Sequence, residues 1–141
     1  MRKVISLGVA VLSLALLGGV VGTADAKKKK PKPATLTLTV KPTHVQVGKK
    51  YTAELKGFAG GFTKLAVDGH SGPCAKTVLA ENQTHTIYTH VVQAHKDYDW
   101  SLKFTAGAPG ERHVCAYLYN PDNPGGTHQR HKQASYTATA R

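Results

Sequence analysis

Apolar and polar residues alternate along much of the chain after residue 33, and this alternation predicts β-strands. Leu36, Leu38 and Val40 are separated by threonines, which gives one apolar face and one β-branched polar face. Similar short segments, divided by turn-forming residues, follow at 45–47, 51–56, 65–67, 77–79, 84–92, 100–105, 112–119 and 136–140. No long segment has the apolar period of a capped helix. The pattern therefore predicts an all-β chain, an antiparallel β-sandwich of about seven to eight strands.

Turn-forming and polar residues mark the expected strand ends. Asp68-Gly69 predicts a turn that ends the strand before it, and residues 97–99 predict another turn. Residues 114–118 are apolar on both faces, so the pattern leaves open which face is buried. Residues 120–132 form the longest polar loop, with two prolines and two glycines. Such a loop at one end of a sandwich either binds a partner or serves as a connector.

The first 26 residues have the three parts of a secretory signal. Arg2 and Lys3 form a basic start, an apolar segment spans Val4 to Val21, and Ala24-Asp25-Ala26 suits a signal peptidase. We therefore predict a cleaved signal peptide at 1–26 and a secreted protein, extracellular or held in the cell envelope. An uncleaved membrane anchor is the alternative, because the apolar segment nearly reaches the length of a membrane span.

Composition limits what the rest of the chain can be. The 141 residues allow one ordinary domain, which excludes a TIM barrel, a two-domain dinucleotide enzyme, a protein kinase and a multi-span membrane protein. The formal net charge is +11, and removing residues 1–26 leaves 17 Lys and Arg against seven Asp and Glu. A strongly basic exported protein is expected to attract anionic partners.

Five of these positive charges lie in the segment Lys27-Lys28-Lys29-Lys30-Pro31-Lys32-Pro33. Like charges repel one another and prolines favour extended backbone, so residues 27–33 are predicted to be a solvated linker before a domain at 34–141. The linker either acts only as a spacer or docks onto an anionic envelope polymer, lipid or nucleic acid.

The chain has two cysteines, Cys74 and Cys115. An even number in an exported protein suggests a disulfide, and only one intramolecular pairing is possible. Closing a loop of about 40 residues would stabilise the fold by roughly 4 kcal/mol on the chain-entropy estimate. Two buried free thiols or an intermolecular bridge are the alternatives.

One part of the sequence resembles a known family. Its residues are Gly72-Pro73-Cys74, the turn Ala108-Pro109-Gly110 and the run His113-Val114-Cys115-Ala116-Tyr117-Leu118. Together they are similar to the small secreted immunoglobulin-like domains of high-GC Gram-positive bacteria, which often carry an aromatic residue where His113 stands. The resemblance covers most of residues 34–141 and implies an immunoglobulin-like sandwich. It implies no specific function, because one fold hosts many activities.

Residue types that commonly carry catalysis or bind metals form no complete arrangement. His128 and His131 could meet on one metal ion, but Arg130 and Lys132 would repel a cation, so solvated loop histidines are expected. Ser71 lies in a segment that resembles the serine signature of trypsin-like proteases with the residues in the wrong order, and it predicts a turn. We predict no catalytic residue, no metal and no cofactor.

These observations predict a secreted, non-catalytic binding or adhesion module that associates with an anionic cell-envelope polymer or another extracellular polyanion. The alternative is a structural exported domain with no specific ligand, and a small enzyme has the least support. No specific nucleic acid and no transmembrane segment after signal cleavage are expected. The candidate binding residues are Lys27, Lys28, Lys29, Lys30, Lys32, His128, Arg130, His131 and Lys132.

Overall fold

Two β-sheets pack face to face in the computed structural model, which describes residues 29–83, 87–126 and 128–141. The elements in chain order are β1 (Thr35–Lys41), β2 (His44–Gln46), β3 (Lys50–Phe58), β4 (Lys64–His70), α1 (Val78–Asn82), β5 (Tyr88–Val91), β6 (Asp97–Thr105), β7 (Gly110–Tyr119) and β8 (Arg130–Thr139). One sheet has the order β1-β3-β6 and the other β2-β8-β7-β4-β5. The predicted immunoglobulin-like β-sandwich is confirmed. Its strand pairs are antiparallel except for β2 with β8, which is parallel.

The apolar faces that the alternation predicts meet between the two sheets. Leu55 of β3, Leu65 of β4 and Leu118 of β7 are completely buried there. Tyr51 of β3 and Tyr136 of β8 contact each other across the interface, with ring centroids 4.2 Å apart. Because alternate residues of each strand face inward, the threonines of β1 and the lysines of β3 and β6 remain on the solvent side.

The five-stranded sheet is covered on its outer face as well. We call residues 71–83, which follow β4 in the chain, the cap segment. Its residues Cys74 and Val78 pack with Ala66 of β4 and with Cys115 and Tyr117 of β7 in a second apolar cluster. Residues 114–119 are therefore buried on both faces, which answers the question that their two apolar faces left open.

The predicted disulfide between Cys74 and Cys115 is present, with Cα atoms 5.5 Å apart. Cys115 faces outward from β7, and Cys74 belongs to the cap segment. The disulfide therefore ties this segment to the outer face of one sheet.

Three local predictions were wrong. β4 continues through Asp68-Gly69 to His70, because Asp68 and His70 are covered rather than exposed and the strand still pairs with β7. Residues 97–99 belong to β6, where the two aspartates occupy its solvent face and pair with lysines. Residues 77–79 begin a helix, since the Thr77 hydroxyl accepts a hydrogen bond from the Ala80 amide as an N-cap.

The predicted signal peptide at 1–26 lies outside the described residues, as do Lys27 and Lys28. The sandwich belongs to the unit Pro31–Arg141. Within the described ranges, no helix has the length and hydropathy that crossing a membrane requires.

Candidate functional site

One end of the sandwich carries several of the predicted binding residues. Thr35, Phe58 and Asp97 pair across the three strands at this end. Lys32 lies just before β1, and its ammonium is 3.3 Å from the Asp97 carboxylate and 4.3 Å from the centre of the Phe58 ring. Both charged groups are largely exposed, so the ion pair orients Lys32 but contributes only about 0–1 kcal/mol to stability.

Arg130 joins the β7–β8 loop to this same end. It is the first residue of β8, and its Nε donates a long hydrogen bond of 3.5 Å to the carbonyl oxygen of Ala34. The guanidinium is therefore held beside the chain segment that follows Lys32. Lys29 and Lys30 are exposed.

The β7–β8 loop is anchored by its amide side chains. Asn120 accepts a hydrogen bond from the Thr63 hydroxyl at 3.2 Å and donates one to the Gly61 carbonyl at 3.3 Å. Gln129 accepts a hydrogen bond from the Val78 amide at 3.0 Å, which links the loop to α1. The described part of the loop is thus held at both ends.

A polar pocket of about 210 Å³ lies at the base of this loop. Its lining residues are Phe62, Asn120, Asn123, Gly126, His128 and Gln129. His128 is exposed, so its imidazole is accessible to a ligand at this pocket. An aromatic ring surrounded by amides and an imidazole can bind a polar ligand by stacking and by hydrogen bonds.

His131 and Lys132 belong to β8 rather than to the loop, so the predicted loop 120–132 is shorter than expected. His131 pairs with Tyr117, and their ring centroids are 6.4 Å apart on the outer face of the sheet. Because side chains alternate along a strand, Arg130 and Lys132 lie on the opposite face from His131. The structure therefore brings Arg130 close to the linker but separates His131 from it.

A second cluster of functional groups is buried between the cap segment and the five-stranded sheet. Glu81 of α1 is 2% exposed and His70 of β4 is 8% exposed. The Glu81 carboxylate accepts hydrogen bonds from the Ala75 amide and the Tyr117 hydroxyl, both at 2.7 Å, and lies 2.6 Å from Nε2 of His70. These contacts link β4, β7 and the cap segment.

The hydrogen bonds assign the tautomer of His70. Its Nδ1 accepts a hydrogen bond from the Gly72 amide at 3.1 Å, so the proton of the neutral ring is on Nε2. This Nε2–H points toward Glu81 and also lies 3.2 Å from Sγ of Cys115. Both ring nitrogens are therefore engaged within the protein.

The pKa shifts agree with an ionised Glu81. Burial raises the pKa of Glu81, but hydrogen bonds from Ala75, Tyr117 and His70 outweigh it, so this pKa lies below its usual value. Burial, with the hydrogen bond to Glu81, raises the pKa of Tyr117, which keeps its hydroxyl protonated as a donor. The network thus holds one carboxylate among three donors.

Asp68, His70 and Glu81 are the buried residues that could together offer ligand atoms to a metal ion. The atoms lie within 4.8 Å of one another. However, a metal on Nε2 of His70 would move the ring proton to Nδ1, which already accepts a hydrogen bond from the Gly72 amide. The arrangement supports a structural network that holds the cap segment.

Reasoning from the sequence missed His70, Glu81 and Tyr117 as a group. The available signal was the alternation of Ala66, Asp68 and His70, which continues the period of β4 through the glycine. Glu81, which completes the network, lies on a five-residue helix whose packing no local pattern indicates.

No protein-family model matches this chain, and no curated protein matches it. Among solved structures, a CARDB domain from Pyrococcus furiosus in complex with di-metal ions is 15% identical, with a TM-score of 0.46, over 77% of this chain and 96% of that chain. The ASH/PapD-like domain 7 of human CEP192 is 12% identical, with a TM-score of 0.38, over 96% of this chain and 99% of that one. Neither similarity indicates what this chain binds.

Proposed function

We propose that this chain is a secreted, non-catalytic binding or adhesion module of the immunoglobulin-like type found in high-GC Gram-positive bacteria. Its partner is an anionic polymer of the cell envelope or another extracellular polyanion. The linker lysines and the basic residues at the adjoining end of the sandwich bind that polymer. The observation that carries this proposal is the contact of Arg130 with the carbonyl of Ala34, two residues after Lys32.

This contact supports binding because it concentrates charge. Lys32 and Arg130 lie at one end of the sandwich, and Lys27–Lys30 directly precede Lys32 in the sequence. Clustered positive charge attracts a polyanion more strongly than the same charge spread over a surface. The interaction is expected to weaken with salt, since the screening length falls from about 8 Å at physiological ionic strength to about 3 Å at 1 M.

The absence of catalytic activity is supported by the state of His70. Both of its ring nitrogens are occupied, by Gly72 and by Glu81, so neither is available to activate the neighbouring Ser71. A structural exported domain without a ligand remains the second candidate. The basic end separates the two candidates, because the structural domain does not need it.

Co-sedimentation of residues 27–141 with washed cell envelopes, at low and high salt, tests the proposal. Arg130→Gln with Lys132→Gln is expected to weaken binding at low salt, as is replacement of the linker lysines by glutamine. Lys49→Gln with Lys50→Gln is the matched control, because it removes two exposed charges beside the end of β3 opposite to Phe58. No sedimentation at low salt, or equal loss in the control, would reject a polyanion-binding end.

A further inference from the structure

The exposed large apolar side chains of the described residues lie on α1 and on β5. They are Leu79 on α1, 46% exposed, and Tyr88 and Val91 on β5, 51% and 64% exposed. Single exposed apolar residues are common, but several together mark an interaction surface. Arg130, which belongs to the proposed function, lies on β8, three strands away from β5 in the same sheet.

β5 is an edge strand. It pairs with β4 on one side, and no other strand of the described residues pairs with it on the other. Every second residue of an edge strand turns its N–H and C=O toward solvent, which allows another strand to pair. Natural edges are usually kept short or protected by lysine, proline or a bulge. β5 is short, but it reads Tyr-Thr-His-Val, with no lysine or proline, and all four residues are exposed.

An apolar cleft of about 170 Å³ opens beside β5. Its lining is mainly apolar and includes Tyr119 of β7 and two polar side chains, those of Asn82 and Thr89. The other lining residues are Val78, Leu79, Ile87 and Pro124. A cavity of about 150 Å³ accommodates a benzene ring, so this cleft fits one side chain the size of leucine or phenylalanine.

The other face of β5 carries aromatic contacts. Tyr88 packs edge-on against Phe104, with centroids 5.6 Å apart, and His90 stacks on Trp100 at 4.9 Å. Phe104 and Trp100 are half-buried residues of β6, which is the edge strand of the other sheet. A strand added to β5 would therefore find apolar surface for its side chains on both faces.

We propose that the free edge of β5 binds an extended peptide segment of a partner protein. The segment adds a strand to the five-stranded sheet and places one leucine- or phenylalanine-sized side chain in the cleft. Backbone hydrogen bonds would supply affinity, and the cleft would supply selectivity for alternate side chains.

Charge favours a partner peptide over a second copy of this chain. Lys64 of β4 pairs with Val91 of β5, so the two side chains lie on the same face of the sheet. Among the described residues, no carboxylate lies within 4.0 Å of the Lys64 ammonium. An acidic residue in the peptide would complement it. A second copy of the exported protein would instead bring another Lys64 and another excess of positive charge, with 17 Lys and Arg against seven Asp and Glu.

A display library of randomised seven-residue segments, selected on the exported protein, tests this site. We expect recovered sequences with alternating apolar residues and at least one acid. Their synthetic forms should shift the amide resonances of Leu79, Thr89 and Val91. In an added strand, only every second peptide amide faces β5. N-methylation of those amides should abolish binding, whereas N-methylation of the other amides should not. An apolar contact without strand pairing would not produce this alternation.

Variants make the result specific. Val91→Lys and Leu79→Lys are expected to weaken binding roughly tenfold or more, as substitutions at the centre of an interface do. Thr39→Lys is the matched control, because it adds the same charge to the exposed face of another edge strand, β1. Circular dichroism verifies that each variant folds. The proposal would be overturned if no selected peptide bound the wild type more tightly than Val91→Lys. It would also be overturned if sedimentation showed a dimer of this chain that Val91→Lys disrupts.

Discussion

The imidazole of His70 on β4 lies 2.6 Å from the carboxylate of Glu81 on α1, and this contact joins the cap segment to the outer face of the five-stranded sheet. Burying a carboxylate is costly unless donors replace the water it loses. Glu81 has three such donors, from His70, Ala75 and Tyr117. The position of the cap segment and the ionisation of Glu81 therefore depend on each other.

Glu81→Gln is expected to destabilise the fold by about 2–4 kcal/mol. Glutamine has nearly the same shape, but its amide nitrogen would face a donor where the carboxylate offered an acceptor. Urea unfolding measures the change. Glu111→Gln is the control, because Glu111 is an exposed residue of β7. Equal stability of the two variants would contradict a supporting role for the network.

The stability that Glu81 provides should depend on pH. Despite burial, which raises it, the pKa of Glu81 in the folded protein lies below its usual value of 4.5 because of the hydrogen bonds from Ala75, Tyr117 and His70. The unfolded chain then binds the proton more readily, so this stabilisation is complete above about pH 4.5 and is lost as the pH falls through the folded pKa. The difference between wild type and Glu81→Gln should narrow between pH 6 and pH 3 in urea titrations. A constant difference would show that the charge of Glu81 is irrelevant.

The Tyr117 hydroxyl is the second point of attachment of the cap segment. It lies 2.7 Å from Glu81 and 2.8 Å from the Ala75 carbonyl. Tyr117→Phe should cost about 1–3 kcal/mol, because it removes one of the three donors that stabilise the buried Glu81 carboxylate. Tyr119→Phe on the same strand is the control, since no hydrogen bond of its hydroxyl is seen among the described residues. Thermal unfolding compares the two, and equal losses would argue against the hydroxyl contacts.

Alternation along the strands was sufficient to predict the sandwich, because its inner faces obey a period of two. It was insufficient for the cap segment. Asp68 and Gly69 are typical of turns, yet the outer layer buries Asp68. Gly69 leaves room for the Tyr51 hydroxyl, because a Cβ at position 69 would lie only 2.8 Å from that oxygen. Local propensity cannot anticipate a second layer formed by a connecting segment.

The same limit applies to the candidate sites. Lys32 and Arg130 could be selected by charge, but their placement at one end depends on how β1 and β8 are arranged. The edge position of β5 depends likewise on the order of strands in the sheet. Sequence patterns identify strands, whereas the order of strands is set by long-range packing.

Gly57 of β3 is required where three strands approach closely. A Cβ at this position would overlap the carbonyl oxygen of Thr35 and come within 2.7 Å of the Tyr98 hydroxyl. Gly57→Ala is therefore expected to destabilise the fold by about 1–3 kcal/mol, as overpacking does. Gly61→Ala is the control, because nothing lies within 4 Å of its added methyl. Chemical unfolding in which both variants resemble wild type would contradict the close packing.

Removing the disulfide should loosen the cap segment before the rest of the fold. Cys74 and Cys115 connect it to β7, whereas the core between the sheets is formed by other residues. Replacing both, as Cys74→Ser and Cys115→Ala, should reduce the free energy of unfolding by about 2–5 kcal/mol. Amide hydrogen exchange should accelerate in residues 71–83 while β1, β3 and β6 retain protection, because local opening follows the loss of local contacts. Uniform acceleration across both sheets would instead mean that the outer layer and the sandwich unfold as one unit.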